Sequence, residues 1–583
     1  MVELRRTRRR LSIAVLLTFA IVALFVVRLV DFQVVRAAEL NEASHGKRAV
    51  SQTIYAPRGD IVDTNGVVLA DSVTRYDITA SPRHANAFNR RADVGTTQKV
   101  SVFDALTEIS EISGADINKL MTAISSDPES NFTYLVKGVD TAKYRAIRDL
   151  GIPWVYVETV PKRTYPNGSV AGNIVGFVGT DGPQNGIEVT ENDCLEPTKG
   201  VSTYEQGADG VRLPGSTVVS TEAVPGGTIT LTIDSDLQWS VQQTIAEQAI
   251  AIGAESAMAV VVRVSDGHLM AAADWPSVDP NDRDGLDPAF LGARMFTYNF
   301  EPGSILKAMT AAMAVDQGTA SANTKVTVPS RWETPEGSVI RDATNHGEYR
   351  LTLPGVLAES SNVGISKVAS ELANAVRYDY LRKFGFGEET AVGFQGEEKG
   401  LLASSWDSQQ KYDIAYGQGV SVTLAQMASA YQALANGGVR MPLTVVESCT
   451  LPDGTVLRPE ASQGVRVVSE SAAQQTVDML QSVVTNGQLS SVLSIPGYNV
   501  AAKTGTGEVA EGGVYTNERI VSVAGIAPAD NPEYVVIVTI VKPDIMKTSY
   551  AAAPVFQEIM ARVLKTYRVP LSIKPAPNLP TTW

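Results

Sequence analysis

Glu301-Pro302-Gly303-Ser304-Ile305-Leu306-Lys307 is the stretch from which the rest of the chain is read. Pro302 and Gly303 predict a turn. The Leu-, Met- and Ala-rich run that follows, closed by Gly318, predicts a helix with Ser304 in its first turn. Serine and lysine three residues apart share one helix face, which puts Lys307 one turn below the hydroxyl. Ile305, Leu306, Met309, Ala312 and Met313 make this helix apolar nearly all round, so it is expected to run through a core. A lysine buried there must find partners or lose its proton, and losing the proton makes it a base near neutral pH.

Ser-x-x-Lys alone decides little. Ser44 with Lys47 and Ser408 with Lys411 match it too, and a capping serine beside an exposed lysine explains any single match. Two further groups lie downstream, Ser360-Ser361-Asn362 and Lys503-Thr504-Gly505-Thr506. Together they supply what acyl transfer needs: a nucleophile, a base, a proton donor for the leaving group and donors for the oxyanion. Ser304 offers the hydroxyl and neutral Lys307 takes its proton. The Ser360 hydroxyl relays that proton to a leaving amine, and the Asn362 amide grips lysine or substrate. Lys503 adds a second positive charge, which depresses the proton affinity of Lys307 and attracts a substrate carboxylate. Thr504 and Thr506 are hydroxyl donors for that carboxylate, and Gly505 leaves room on an edge strand for a ligand to lie alongside. The backbone N–H groups of Ser304 and Thr506 are the expected oxyanion hole. His45, His84, His268 and His346 are isolated and read as ordinary polar residues, so a Ser/Lys system fits better than Ser/His/Asp.

Composition narrows the rest. A chain of 583 residues is too long for one ordinary domain and predicts three or four units. Its net charge of -14, with no basic stripe beyond the N-terminus, argues against a nucleic-acid partner. Cys194 and Cys449 are far apart and fall in different expected domains, so neither a disulfide nor a metal site is expected, and no cofactor is called for.

Arg5, Arg6, Arg8, Arg9 and Arg10 form a basic tail over residues 1–10, followed by the apolar run of residues 11–30. The charge bias predicts an N-terminus in the cytoplasm and the bulk of the chain outside. The run is longer than a usual signal-peptide core, and Val35-Arg36-Ala37 is a poor cleavage site, so it reads as an uncleaved anchor crossing the cytoplasmic membrane once. Residues 31–225 read as a mixed α/β pedestal. In it, Arg58 to Ala70 is a strand, an Asn-Gly turn and a second strand, and helices are expected over 102–113, 116–125 and 141–150. Residues 226–569 show a strand and helix over 228–252, a hairpin over 257–273, the Ser304 helix, and an all-helical middle. Strands over 499–506, 519–526 and 534–541 follow, then a helix over 553–567. Strands at both ends with helices between them predict an antiparallel sheet covered by helices, an α+β fold. The Pro-rich residues 570–583 read as a flexible tail.

With these motifs in this order, the chain resembles the class B penicillin-binding proteins over nearly its whole length. The likeness extends to Arg58-Gly59, Tyr165-Pro166, Gly186 to Glu188, Asp279-Pro280-Asn281, Gly417 to Thr423 and Ala553 to Phe556. Thr64 stands where the family usually has arginine, and Gly507 where alanine is common. The resemblance implies a single transmembrane helix, a pedestal of the dimerisation type and a transpeptidase domain with a five-stranded sheet of serine β-lactamase type. It implies a peptidoglycan D,D-transpeptidase in which Ser304 is acylated by the penultimate D-alanine of a stem peptide and by β-lactams. Its length and simple pedestal look more like the division (septal) branch than the elongation branch. The implied partners are a polytopic glycan polymerase of the shape, elongation, division and sporulation family and other division membrane proteins. A D,D-carboxypeptidase, a β-lactamase or β-lactam sensor, and an inactive scaffold are the competing readings.

Overall fold

A computed structural model describes residues 2–91, 97–179, 181–207, 212–459 and 463–583. They divide into two compact units, neither continuous in sequence. One comprises Met1–Pro57, Val73–Lys162 and Pro197–Pro225, the other Arg58–Ser72, Arg163–Glu196 and Gly226–Trp583.

The first unit opens with the helix Val2–Val30, which widens into one further turn at Asp31–Val35. Leu4–Val35 spans 32 residues and is long and apolar enough to cross a membrane, where about 20 are needed. Ala49–Ile54, Gly200–Glu205 and Val218–Thr221 then pair as an antiparallel sheet. A small core gathers Trp154, Ile78, Leu106, Ile109 and Leu120 under the helices Val102–Ser113, Ile117–Ser125 and Thr141–Asp149. Each of those helices starts on a residue that satisfies free N–H groups: Ser101 in a reciprocal box with Asp104, then Asp116 and Asp140.

The second unit is built on five strands, β1 (Ser256–Arg263), β2 (Leu269–Trp275), β3 (Ala501–Glu511), β4 (Val514–Ala527) and β5 (Tyr534–Val541). All neighbours are antiparallel, in the order β2-β1-β5-β4-β3, so β3 is an edge strand. Side chains alternate between two buried faces. Ala257, Ala259, Val261, Val536 and Val538 face one core with the helices α1 (Ser235–Ala251) and α6 (Ala553–Thr566). Met258, Val260, Val262, Val535 and Ile537 face the other, with α2 (Lys307–Asp316), α3 (Asn362–Ser370), α4 (Leu424–Ala435) and α5 (Glu470–Asn486). Burial on both faces explains why β1 and β5 read as continuous apolar runs rather than alternating ones.

Four expectations from the sequence are corrected. The stretch 31–225 is not one compact body, because residues 58–72 and 163–196 pack with residues 226–583. Ile61 and Val62 pair with Ile229 and Thr230 there, and a buried ionic knot fastens both segments. Glu188, wholly buried, takes Arg58 Nε at 2.6 Å and Arg163 Nε at 2.6 Å, while Tyr165 Oη donates to it at 3.3 Å. The second correction follows from the first. Cys194 and Cys449 are 255 residues apart in sequence but only 6.3 Å apart between Cα atoms, and they form a disulfide. Third, the middle is not all-helical, since short antiparallel pairs such as Arg331–Glu333 with Val339–Arg341 interrupt it. Fourth, the tail is docked. Thr352 N–H donates to Thr581 O at 3.1 Å, Trp583 N–H donates to Arg350 O at 3.2 Å, and Lys325 lies 5.0 Å over the Trp583 ring. Backbone pairing and a cation over an indole hold a segment whose proline content alone suggested looseness.

The disulfide closes a very long loop, so its removal is expected to be costly. Replacing both Cys194 and Cys449 by serine should destabilise the chain by about 2–5 kcal/mol. Thermal denaturation of the detergent-purified full chain without reductant measures this, and an unchanged melting temperature would refute the bridge.

Candidate active site

The nucleophile turn is tighter than the sequence indicated. Gly303–Leu306 forms a 3-10 turn, and the regular helix α2 begins only at Lys307. Tyr431 of α4 donates its hydroxyl to Ile305 O at 2.8 Å and fixes this turn from behind. In front it lies directly against β3. A Cβ on Gly505 would stand 3.0 Å from Pro302 O and 3.0 Å from Ile305 Cγ2, so the missing side chain is what lets the turn pack on this face of the strand. A Cβ on Gly507 would come within 2.3 Å of Glu301 O, so the backbone here leaves no room for one.

Lys307 is wholly buried at the first turn of α2. Its Nζ donates to Asn362 Oδ1 at 2.7 Å and to the Ser360 carbonyl, and lies 3.3 Å from Ser360 Oγ. Burial holds its proton affinity well below the ordinary lysine value. The nearby Lys503 pushes it further down, and Asp342 partly opposes this. A neutral amine has two N–H bonds for the two obligate acceptors, Ser360 O and Asn362 Oδ1, and keeps its lone pair for a hydroxyl proton. Lys503, on β3, is also wholly buried, and burial brings its pKa down to about 7. Its Nζ donates to Ser360 Oγ at 2.9 Å and to Thr504 O at 3.1 Å.

The two lysines therefore meet at one hydroxyl. Ser360 has φ +58°, a left-handed conformation costly for a residue with a Cβ. That conformation turns both its carbonyl and its hydroxyl toward Lys307. Ser361 caps α3 by accepting the Gly364 N–H at 2.8 Å, and Asn362 Nδ2 donates to Arg341 O at 3.1 Å. Ser304, Ser360, Asn362, Thr504, Gly505 and Thr506 line one cleft of about 350 Å³, with Lys307 and Lys503 buried beside it. All eight residues singled out in the sequence thus converge.

Further residues support the cleft, and of these Ser549 and His346 had no sequence signal. Ser549 Oγ donates to Gly505 O at 2.8 Å and lies 3.4 Å from Thr506 Oγ1, so a third hydroxyl joins the two threonines. Glu301 Oε1 accepts the Gly419 N–H at 2.9 Å and the Tyr515 hydroxyl at 3.0 Å, and burial raises its pKa. His346, read from sequence as an ordinary polar residue, lines the cleft and pairs with Asp342. A triplet motif announces itself by spacing; these residues come from loops that share no pattern with it.

Residues 257–561 match the penicillin-binding protein transpeptidase domain, and residues 53–231 the penicillin-binding protein dimerisation domain. The chain is 35% identical to penicillin-binding protein PbpB of Mycolicibacterium smegmatis, covering 99% of this chain and 92% of that protein. It is 31% identical to peptidoglycan D,D-transpeptidase FtsI of Escherichia coli K12, covering 89% and 85% respectively. Among solved structures, penicillin binding protein 3 of Mycobacterium tuberculosis complexed with aztreonam superposes with a TM-score of 0.69 at 28% identity, covering 91% of this chain and 100% of the other.

The lysine pair makes a signed prediction. Lys307 works as a base only when neutral, so acylation of Ser304 falls as pH drops through its pKa. Lys503→Ala removes a positive neighbour and favours the charged form of Lys307. The acid limb of the rate of acylation by benzylpenicillin should therefore move to higher pH, besides any loss in the maximum. A limb that stays in place or moves down would contradict the coupling.

Proposed function

The chain belongs to the penicillin-binding protein transpeptidases, and we propose that it cross-links peptidoglycan stem peptides in septal wall synthesis. The observation that carries this reading is Lys307, wholly buried three residues after Ser304 and held by Ser360 and Asn362 beside the cleft that Ser304 lines.

In the proposed cycle Ser304 Oγ attacks the carbonyl of the penultimate D-alanine while Lys307 Nζ accepts its proton. The oxyanion is held by the N–H groups of Ser304 and Thr506. Proton return to the leaving D-alanine amine runs through Ser360 Oγ, which touches both lysines. The amide bond breaks, an ester to Ser304 remains and D-alanine departs. The acceptor stem's amine then attacks that ester, giving up its proton along the same path, so the new amide forms and Ser304 is restored. Thr504, Thr506 and the positive field of Lys503 receive the donor's terminal carboxylate. A β-lactam enters as a mimic of the D-Ala-D-Ala terminus and acylates Ser304 by the same steps.

The apolar N-terminal helix anchors the chain in a membrane once. We place that helix in the cytoplasmic membrane with the arginine-rich end inside, where the positive-inside bias puts it. The Cys194–Cys449 bridge suits an oxidising space outside. A polytopic glycan polymerase and other division proteins are the proposed partners of the helix and the dimerisation-type domain.

Intact mass of the full chain after brief exposure to benzylpenicillin tests the acyl-serine step. A stable adduct is expected in the wild type and none in Ser304→Ala. With a pentapeptide donor and an amine acceptor, the same preparation should release D-alanine and form the cross-linked product. An adduct that persists in Ser304→Ala would sink the assignment.

A further inference from the structure

A loop outside all three motifs holds the second of them. It runs along the cleft between the strands Val339–Arg341 and Tyr349–Thr352, and both Asp342 and His346 line the cleft. The Asp342 side chain is only 7% exposed. Its carboxylate accepts the Ser361 hydroxyl at 3.0 and 2.8 Å and the Val363 N–H at 2.9 Å. With Asn362 bonded to Arg341 O, each residue from 361 to 363 is tied to this loop.

His346 closes the arrangement from the other side. Its ring stacks on Tyr349 with centroids 3.9 Å apart, and its side chain is 6% exposed. Nε2 lies 2.9 Å from Asp342 Oδ2, and Nδ1 lies 2.5 Å from Gly347 O. Both nitrogens thus face acceptor oxygens. The Asp342 carboxylate only accepts, so Nε2 is the nitrogen that donates to it.

We propose that Asp342 and His346 form a positioning pair for acylation: His346 fixes the Asp342 carboxylate, which fixes the Ser361–Val363 turn and so presents Ser360 and Asn362 to Lys307. This rests on the acyl-serine reading of Ser304. The pair supplies what the left-handed Ser360 requires, a surround that over-determines its conformation. It also sets a charge balance. The charged groups facing Lys307 are Lys503 on β3 and Asp342 on this loop, with opposite effects. His346 donates an N–H to the Asp342 carboxylate and so draws part of its field away from Lys307. Removing Asp342 leaves Lys503 unopposed, so Lys307 sheds its proton at lower pH. Removing His346 leaves Asp342 unscreened, so Lys307 keeps its proton to higher pH.

The test is the second-order rate of benzylpenicillin acylation of the full chain in detergent across about pH 5 to 9, with a thermal melt of each preparation. Asp342→Asn is expected to lose roughly 10- to 100-fold in the maximal rate, with its acid limb shifted to lower pH. His346→Gln is expected to lose less, with its limb shifted to higher pH. Limbs moving in opposite directions are something a merely loosened fold does not produce. If Asp342→Asn does not fold, the direction of the shift in His346→Gln decides. Wild-type rates in the folded variants overturn the proposal, and so does a rate loss with unmoved limbs. A wild type that takes no label overturns the acyl-serine reading itself, and this proposal with it.

Discussion

Two buried lysine amines share one hydroxyl, and the catalytic unit is arranged around that constraint. Lys307 and Lys503 are both wholly buried, and their Nζ atoms lie 3.3 and 2.9 Å from Ser360 Oγ. Two ammonium ions cannot be kept at such a distance in a buried site, so the pair gives up a proton. The sequence must therefore supply an apolar helix to bury Lys307, a sheet edge to bury Lys503, and a turn with enough acceptors to satisfy both. Each of the three motifs answers one of these needs. Their wide separation in sequence reflects the three different elements required.

Holding the serine turn against β3 is a second requirement, met by backbone rather than side chain. Close approach at Gly505 and Gly507 lets the turn lie directly on the strand. Glu301, the residue before Pro302, then joins the Gly419 amide to the Tyr515 hydroxyl of β4. Hydrogen bonds to a charged acceptor contribute about 1.5–3 kcal/mol each. That is enough to couple the nucleophile turn to the hairpin carrying Lys503 and Thr506 without adding any group to the cleft.

Much of this was legible from the residues. The Ser304, Ser360 and Lys503 groups announced themselves because their chemistry demands fixed spacings, and the strands at both ends of the catalytic half announced themselves by continuous β-branched runs. What escaped was whatever depends on non-local pairing. Cys194 and Cys449 were read as unpaired because a linear division put them in separate domains, whereas residues 163–196 pack with the catalytic half. Trp583 and its neighbours were read as loose because composition cannot reveal that Arg350 and Thr352 offer a strand edge to them. Asp342 and His346 carry no motif, since a loop can bring a carboxylate to a helix start from any distance in sequence.

Residues 58–72 and 163–196 are fastened first by apolar burial, since Ile61, Leu69, Ile174, Phe177, Ile187 and Leu195 all join the main core. Hydrophobic contact is non-directional, so it leaves the register of such short segments to be set by polar groups. Glu188 with Arg58 and Arg163 carries a net positive charge, and stripping it of water is expensive unless every donor finds a partner. The structure meets most of that demand with backbone: Arg58 also donates to Glu188 O at 2.7 Å, and Arg163 to Gly59 O at 2.7 Å, while Arg163 Nη2 is buried without a partner among the described residues. A knot with so many fixed partners favours one register, because a one-residue slip would break these bonds inside a buried site. The disulfide two helical turns away fixes the same segment to the strand Val446–Thr450 by a bond that no such slip survives. Specificity of register is therefore what the ionic links add, and the disulfide adds stability as well, to a body whose main core lies on the two apolar faces of its sheet.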